Sequence, residues 1–214
     1  MMSTPYPWPW HGCLDPRRLA VLVVGCASPY EELPGSPPVA LPVALPGSLP
    51  EIEAVRAARV AGRVAGAARK AGGLVVRVRV RPPLRPGPPL PPYAWGGGSP
   101  AFPLATIGRE AAPQDTADAE VHAPGWDGFH GSPLDELLRA AGRDLLVLAG
   151  CCLELGVHST MRSANDRGYE CLLLADACAA ADPSLAAGAL STIEMSGGIF
   201  GAVGSSADLL KELS

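Results

Sequence analysis

A parallel β-sheet with helices on both faces, a three-layer α/β/α sandwich of roughly six strands, is the fold this sequence predicts. Three observations lead there. Short continuous apolar runs recur at Leu19–Val24, Leu145–Leu148 and Tyr169–Leu174, as expected of strands covered on both faces. Helix-start and helix-stop residues stand between such runs. The resulting order, β-α-β, a long irregular stretch, then β-α-β-α-β-α-β-α, is that of parallel strands joined by crossover helices.

Each element has its own warrant. Residues 1–13 are rich in Pro and Trp and carry no pattern, so they read as an arm, packed on a neighbour or loose. Leu19–Val24 is the first strand. Residues 31–47 hold too many prolines for a central strand or a long helix and read as a loop. Ser48-Leu49-Pro50-Glu51 is a helix start: a Ser N-cap, Pro in the first turn, and Glu placed to close a capping box. That helix runs to about Ala71 and stops at Gly72-Gly73. Its Arg56, Arg59, Arg63 and Lys70 read as a solvated face. Leu74–Val80 is a strand whose later half alternates Val with Arg, so one side turns polar towards its carboxyl end. Its arginines are expected in solvent, with a site or an interface as the other readings.

Residues 81–118 are irregular and Pro/Gly-rich, a lid or a surface loop. Ala119–His122 is a short strand. Ser132-Pro133 caps the helix that begins at Leu134. After Leu145–Leu148, closed by Ala149-Gly150, comes a helix with Val157, Thr160, Met161 and Ala164 on one face, and Gly168 in its stop position. Tyr169–Leu174 is the next strand. Asp182-Pro183 starts a helix that runs to about Met195 and ends in Ser196-Gly197-Gly198. Ile199–Val203 is the last strand and Ser206–Leu213 a closing helix.

Composition bounds the function. The chain has 214 residues, 48% hydrophobic and 18% charged, with a mean hydropathy of +0.18, which suits one domain with a full core over residues 14–214. A net charge of −4 offers no basic footprint, so no nucleic-acid partner is expected. No apolar run reaches the roughly 18 residues of a membrane span. The N-terminal stretch lacks a charged segment followed by an apolar one, so no signal peptide is expected and the assignment is cytoplasmic. The six cysteines, Cys13, Cys26, Cys151, Cys152, Cys171 and Cys178, have neither the spacing of a zinc site nor that of a disulfide framework, and read as reduced, packed thiols.

Leu145–Asp176 is the most informative stretch. Ala149-Gly150, Glu154, Val157, Thr160-Met161-Arg162 and the unbroken Ala164-Asn165-Asp166-Arg167-Gly168-Tyr169-Glu170-Cys171-Leu172-Leu173, closing on Asp176, resemble the isochorismatase-like cysteine hydrolases. The nearest branch is the one that hydrolyses biuret and related ureides. A second matching segment follows the Ala119 strand, with Pro124, Gly125, Phe129 and Leu134 in register. The resemblance is strong over residues 119–214 and in the first strand, and weak over 31–118. It implies a Rossmann-like fold and assembly into oligomers.

It also implies a mechanism that this chain lacks. The family uses a cysteine nucleophile at the first turn of the helix, an aspartate at the end of the first strand, and a lysine before Pro-Gly. The aligned positions hold Gly156, Gly25 and Ala123. They are expected to gather at the carboxyl ends of adjacent strands, around one cleft. Cys26 and His122 stand one step from the aspartate and lysine positions, so strand alternation is expected to turn both away. Cys151-Cys152 lies where the family forms a cis peptide, which makes Cys152 the best-placed surviving thiol. Glu154 and Asp176 read as structural. The cleft is expected to be lined from Tyr30, Trp95, His122, Trp126, Phe129, His130, Cys151, Cys152 and His158. The metal-binding Asp-x-His pattern of the nicotinamidase branch is absent, and neither a metal nor another cofactor is expected.

Two classes of function follow. One is a non-hydrolytic pseudoenzyme that binds a small molecule, or scaffolds a homo-oligomer or a hetero-oligomer with an active paralogue. The other is an enzyme of altered chemistry that uses the same cleft in a specialised biosynthetic pathway. A residual amide or ureide hydrolase is the third reading.

Overall fold

The computed structural model describes residues 1–26, 49–80 and 117–214. The expectations for the 31–47 and 81–116 segments, for Tyr30 and Trp95, and for the Ser48 cap fall outside them. The described elements are β1 (Ser3–Thr4), β2 (Leu19–Cys26), α1 (Leu49–Lys70), β3 (Leu74–Val80), β4 (Ala119–Ala123), α2 (Leu134–Ala140), β5 (Leu145–Cys151), α3 (His158–Asp166), β6 (Glu170–Ala179), α4 (Ala186–Gly198), β7 (Ala202–Gly204) and α5 (Ser206–Glu212). The strands form one sheet in the order β1-β7-β6-β5-β2-β3-β4. Strands β2 to β7 are parallel to their neighbours, and β1 is antiparallel to β7.

The expected sandwich is present, with one strand more than the sequence suggested. The addition is β1, and it corrects the reading of residues 1–13 as an arm that is loose or packed on a neighbour. Ser3 pairs with Gly204 and Thr4 with Val203. Trp8 is fully buried, and the chain's own ammonium donates to the Trp8 carbonyl at 2.8 Å. The physical reason is the cost of leaving an indole in water: folding the segment back over β7 and α5 covers it.

Two apolar layers flank the sheet. On one face, Phe129, Leu134 and Leu138, then Val157, Met161 and Ala164 of the α3 segment, and Ile193 of α4, pack on Leu22, Val24, Val78, Val80, Leu146 and Leu148. On the other, Val60, Ala61, Val64, Ala65 and Ala68 of α1 and Leu209 of α5 pack on Val21, Val75, Leu145 and Val147. The small residues of α1 let its backbone lie close to the strands. Arg56, Arg59, Arg63 and Lys70 are exposed, as expected.

Several boundaries differ from the sequence reading. Strand β5 runs on through Ala149-Gly150 to Cys151, and β6 continues to Ala179, with a register irregularity between Leu148 and Gly150. Helix α4 breaks at Met195, where ψ is 152°, close to its expected end. A further turn then uses the Ile199 amide to reach the Met195 carbonyl at 3.1 Å. That turn takes up Ile199–Gly201, so the last strand shrinks to Ala202–Gly204.

Candidate functional site

The site is built on the turn that leaves β5. Gly150 has a φ of +127°, and a Cβ there would sit 1.8 Å from the Val24 carbonyl oxygen. Only glycine lets β5 lie against β2 at this point. The Cys151–Cys152 peptide that follows is cis. A widened turn over Leu153–Val157 then leads into α3. The Glu154 carboxylate accepts from the amides of Ala181 at 3.1 Å and Asp182 at 2.8 Å, which ties this turn to the start of the α4 segment. Asp176 accepts from the Ser206 amide at 2.8 Å and the Ser206 hydroxyl at 2.5 Å, which caps α5. Both acids are structural, in agreement with the sequence reading.

The segment after β4 is latched to the same turn. The Gly128 amide donates to Thr160 Oγ1 at 2.9 Å, and the Thr160 hydroxyl donates to the Gly156 carbonyl at 2.7 Å. Asp127 accepts from the Phe129 amide and from the Ser163 hydroxyl, each at 2.8 Å. Phe129 lies 5.7 Å from the Tyr169 ring and under the Arg167 guanidinium. It is a core residue.

Gly156 is buried at the centre of this frame. A Cβ on it would meet Val80 Cγ2 at 3.1 Å, Val24 Cγ1 at 3.4 Å and the Trp126 carbonyl at 3.8 Å. The ends of β2 and β3 and the 124–131 segment therefore converge on it. Val80 pairs with Ala123 in register and Cys26 with Val80. Ala123 is buried on the Gly156 side of the sheet, with Val80 and Val24.

Gly25 is different. It pairs with Arg79, and Arg79 with His122. Neighbours along a strand face opposite sides, and Val24 faces Gly156, so Gly25 belongs to the opposite pleat. These three aligned positions were expected at the carboxyl ends of adjacent strands around one cleft, and the register sets Gly25 apart from the other two by pleat. Gly25, Ala123 and Gly156 share the carboxyl end of the sheet but not its face, and a carboxylate at Gly25 would stand beside Arg79.

The β3 arginines on that opposite pleat were expected in solvent, with a site or an interface as the other readings. Instead Arg77 is 12% and Arg79 18% exposed. Arg77 Nη1 lies 3.2 Å and Arg79 Nε 3.3 Å from Glu120 Oε2, while His122 Nε2 lies 3.2 Å from Glu120 Oε1. Burial works against the Glu120 carboxylate, yet Arg79 and Arg77 outweigh it and hold its pKa below the usual value. The sequence signal was the shared alternation of Arg77-x-Arg79 and Glu120-x-His122.

Over residues 47–208 the sequence matches the isochorismatase domain. The chain belongs to the isochorismatase family. The matched span begins after β2, so Gly25 lies outside it. The chain is 38% identical over 86 residues to the ureidoacrylate amidohydrolase RutB of Methylorubrum extorquens, a match covering 40% of this chain and 35% of that protein. It is 38% identical over 65 residues to the uncharacterised isochorismatase family protein YecD of Escherichia coli O157:H7, covering 30% of this chain and 35% of that one. These matches thus span about a third of the relatives' length. Among solved structures, a cysteine hydrolase from Pseudomonas syringae pv. phaseolicola 1448A superimposes with a TM-score of 0.64 at 23% identity, covering 99% of this chain and 98% of that one. The N-carbamoylsarcosine amidase of Thermoplasma acidophilum gives 0.58 at 24% identity, over 88% and 96% of the two chains.

In this isochorismatase-family chain the remaining candidate residues scatter. Trp126 is half-buried against the core, and His122 and His130 are exposed. Cys151 and Cys152 are buried at the cis turn, and Cys178 is buried on the neighbouring strand. Burial above all, then the nearby Cys151 thiol, pushes the Cys178 pKa far up, the reverse of an activated nucleophile. Among the described residues no group of three His, Cys, Asp or Glu side chains is placed to hold a metal ion.

His158, expected in the cleft, is instead buried on the flank of α3, with its ring 6.3 Å from Phe200. Its Nδ1 accepts from Arg162 Nε at 3.1 Å, so the neutral ring carries its proton on Nε2, which has no hydrogen-bond partner. Burial first, and Arg162 second, push its pKa below the ordinary histidine value.

Two outcomes follow from this packing. Gly156→Cys should cost about 1–3 kcal/mol of stability by overpacking against Val80. Val80→Ala should offset part of that cost, which gives a favourable coupling in a double-mutant cycle by urea unfolding. His158 binds protons less readily folded than unfolded. Its contribution is therefore present above about pH 6.5 and lost as the pH falls towards the depressed folded value. His158→Gln should flatten that part of the stability–pH curve in denaturant titrations between pH 7 and 5.

Proposed function

We propose that this isochorismatase-family chain binds a small molecule at the carboxyl end of its sheet and does not carry out thiol-based hydrolysis. The observation that carries the reading is the packing at Gly156. The position from which the family's nucleophile is delivered has no side chain, and a Cβ there would press on Val80 Cγ2 at 3.1 Å and touch Val24 Cγ1 at 3.4 Å. Ala123, at the lysine position, is buried among the same apolar groups. Neither residue can act as nucleophile or cation. Cys152, the nearest residue of the turn with a thiol, is fully buried. The name of the Methylorubrum relative, ureidoacrylate amidohydrolase, describes amide chemistry that these two positions do not support here.

A second reading, an enzyme of altered chemistry, draws on one observation. The Glu120 carboxylate and the His122 imidazole lie 3.2 Å apart at the same end of the sheet, both partly open to solvent, which is a pairing suited to proton transfer.

The test is ammonia release from biuret, ureidoacrylate, an N-carbamoyl amino acid and nicotinamide, with and without prior alkylation by iodoacetamide. The expected result is no turnover above that of buffer. Turnover that alkylation abolishes would overturn the proposal. Alkylation-resistant turnover that is lost in His122→Gln would favour the second reading.

A further inference from the structure

We infer that the cleft at the amino ends of β6 and β7 is a binding site for a small organic cation, a protonated amine. It lies at the opposite end of the sheet from the vacated family positions.

The cleft has a volume of about 210 Å3 and is walled by Tyr6 and by residues between Asn165 and Gly201. Four pieces of chain meet there: the N-terminal segment, the end of α3, the start of β6, and the turn between α4 and β7. All four lie on the β6–β7 side of the sheet, with β5 and β2 between them and β3. Glycine shapes the wall. Gly198 has a φ of +87°, and a Cβ on it would stand 2.8 Å from Tyr6 Cε1. The Tyr6 ring therefore lies against this turn only because the residue has no side chain.

Charge names the ligand. Of the residues that line the cleft, only Glu170 is charged. Its Oε1 accepts from the Trp10 amide, and among the described residues its carboxylate makes no ion pair. Arg18, whose charge reaches it, is held by Asp144 in two hydrogen bonds of 2.8 and 2.7 Å. A half-buried carboxylate without a counter-ion attracts a charged donor.

The groups beside it accept rather than donate. Asn165 uses its amide nitrogen on the Ile199 carbonyl at 2.9 Å, which leaves its side-chain oxygen to accept. The backbone amides of Gly168, Tyr169, Glu170 and Gly201 are all taken by carbonyls. The Tyr6 hydroxyl has no hydrogen-bond partner among the described residues. Aromatic surface completes the set. Phe200 already has the Arg162 guanidinium on one face at 4.2 Å. Tyr6 and Trp10 carry no cation among the described residues. Their rings meet at 5.2 Å, and Trp10 is 67% exposed beside the carboxylate that holds its amide. Aromatic rings around an unpaired carboxylate suit an ammonium group. A cavity of about 150 Å3 admits a benzene ring, so this cleft has room for a ring with a short amine arm.

The experiment is calorimetric titration of the full chain with benzylamine at neutral pH. Benzyl alcohol and benzoate serve as the neutral and anionic probes of similar shape. The expected result is saturable binding of benzylamine, at least about tenfold tighter than that of benzyl alcohol, and no binding of benzoate. Glu170→Gln keeps an oxygen for the Trp10 amide and removes the charge. It should weaken benzylamine binding at least about tenfold. Tyr6→Phe removes only a hydroxyl and should weaken it about threefold. Where Glu170→Gln fails to fold, Tyr6→Phe carries the test. No saturable binding of benzylamine, or binding no tighter than that of benzyl alcohol, would overturn the inference. So would unchanged affinity in Glu170→Gln or, where that variant does not fold, in Tyr6→Phe.

Discussion

The approach of β5 to β2 at Gly150 is the constraint on which the site depends. A side chain there would collide with the Val24 carbonyl, so the two central strands can lie together only around a glycine. That contact sets where the turn begins. The turn brings Gly156 over the ends of β2 and β3. The Gly156 carbonyl then takes the Thr160 hydroxyl, and Thr160 takes the Gly128 amide, so the segment after β4 is hung on the first turn of α3. Asp127, Ser163 and Arg167 add a second tie on the outside. The frame is thus a chain of backbone hydrogen bonds through two small hydroxyl side chains. It holds whether or not a nucleophile stands at its centre.

That independence is what the proposed function requires, a site that keeps its architecture under a change of chemistry. In an activated-thiol site the sulfur needs exposure and a neighbouring positive charge. Here the described thiols near the turn are buried among apolar groups, and the buried positive charge lies on the other pleat, at Arg77 and Arg79. The two ingredients are present but separated by the sheet.

Much of this was legible in the sequence, and the failures have physical causes. The apolar runs located β2, β3, β5 and β6, and the Gly168 stop and the Asp182 cap were read correctly, because such signals are local. The match at Glu154 and Asp176 correctly suggested structural acids. What the sequence could not show depends on distant pairing. Strand β1 is two residues long and exists because Gly204 and Val203 offer it a partner. Strand β7 is short because a helix-ending turn consumes its first residues. The arginines of β3 read as solvent-facing, but Glu120, far along the chain, draws them down. Phe129 and His158 pack against the Tyr169 and Phe200 rings, partners about 40 residues away along the chain. Gly25 was placed by an alignment that counts residues, whereas the face it occupies is decided by its partner on β3.

The central claim is that the frame persists without an activated thiol, and pH-resolved alkylation of the native protein tests it most directly. Iodoacetamide would be applied from pH 5 to 9, and the modified cysteines mapped by mass spectrometry. Cys13, which is exposed, should be modified in the native protein, while Cys151, Cys152, Cys171 and Cys178 should react only at the rate of unfolding. Rapid native-state modification of Cys151 or Cys152 that persists below pH 7 would reveal an activated thiol at the turn and contradict the account.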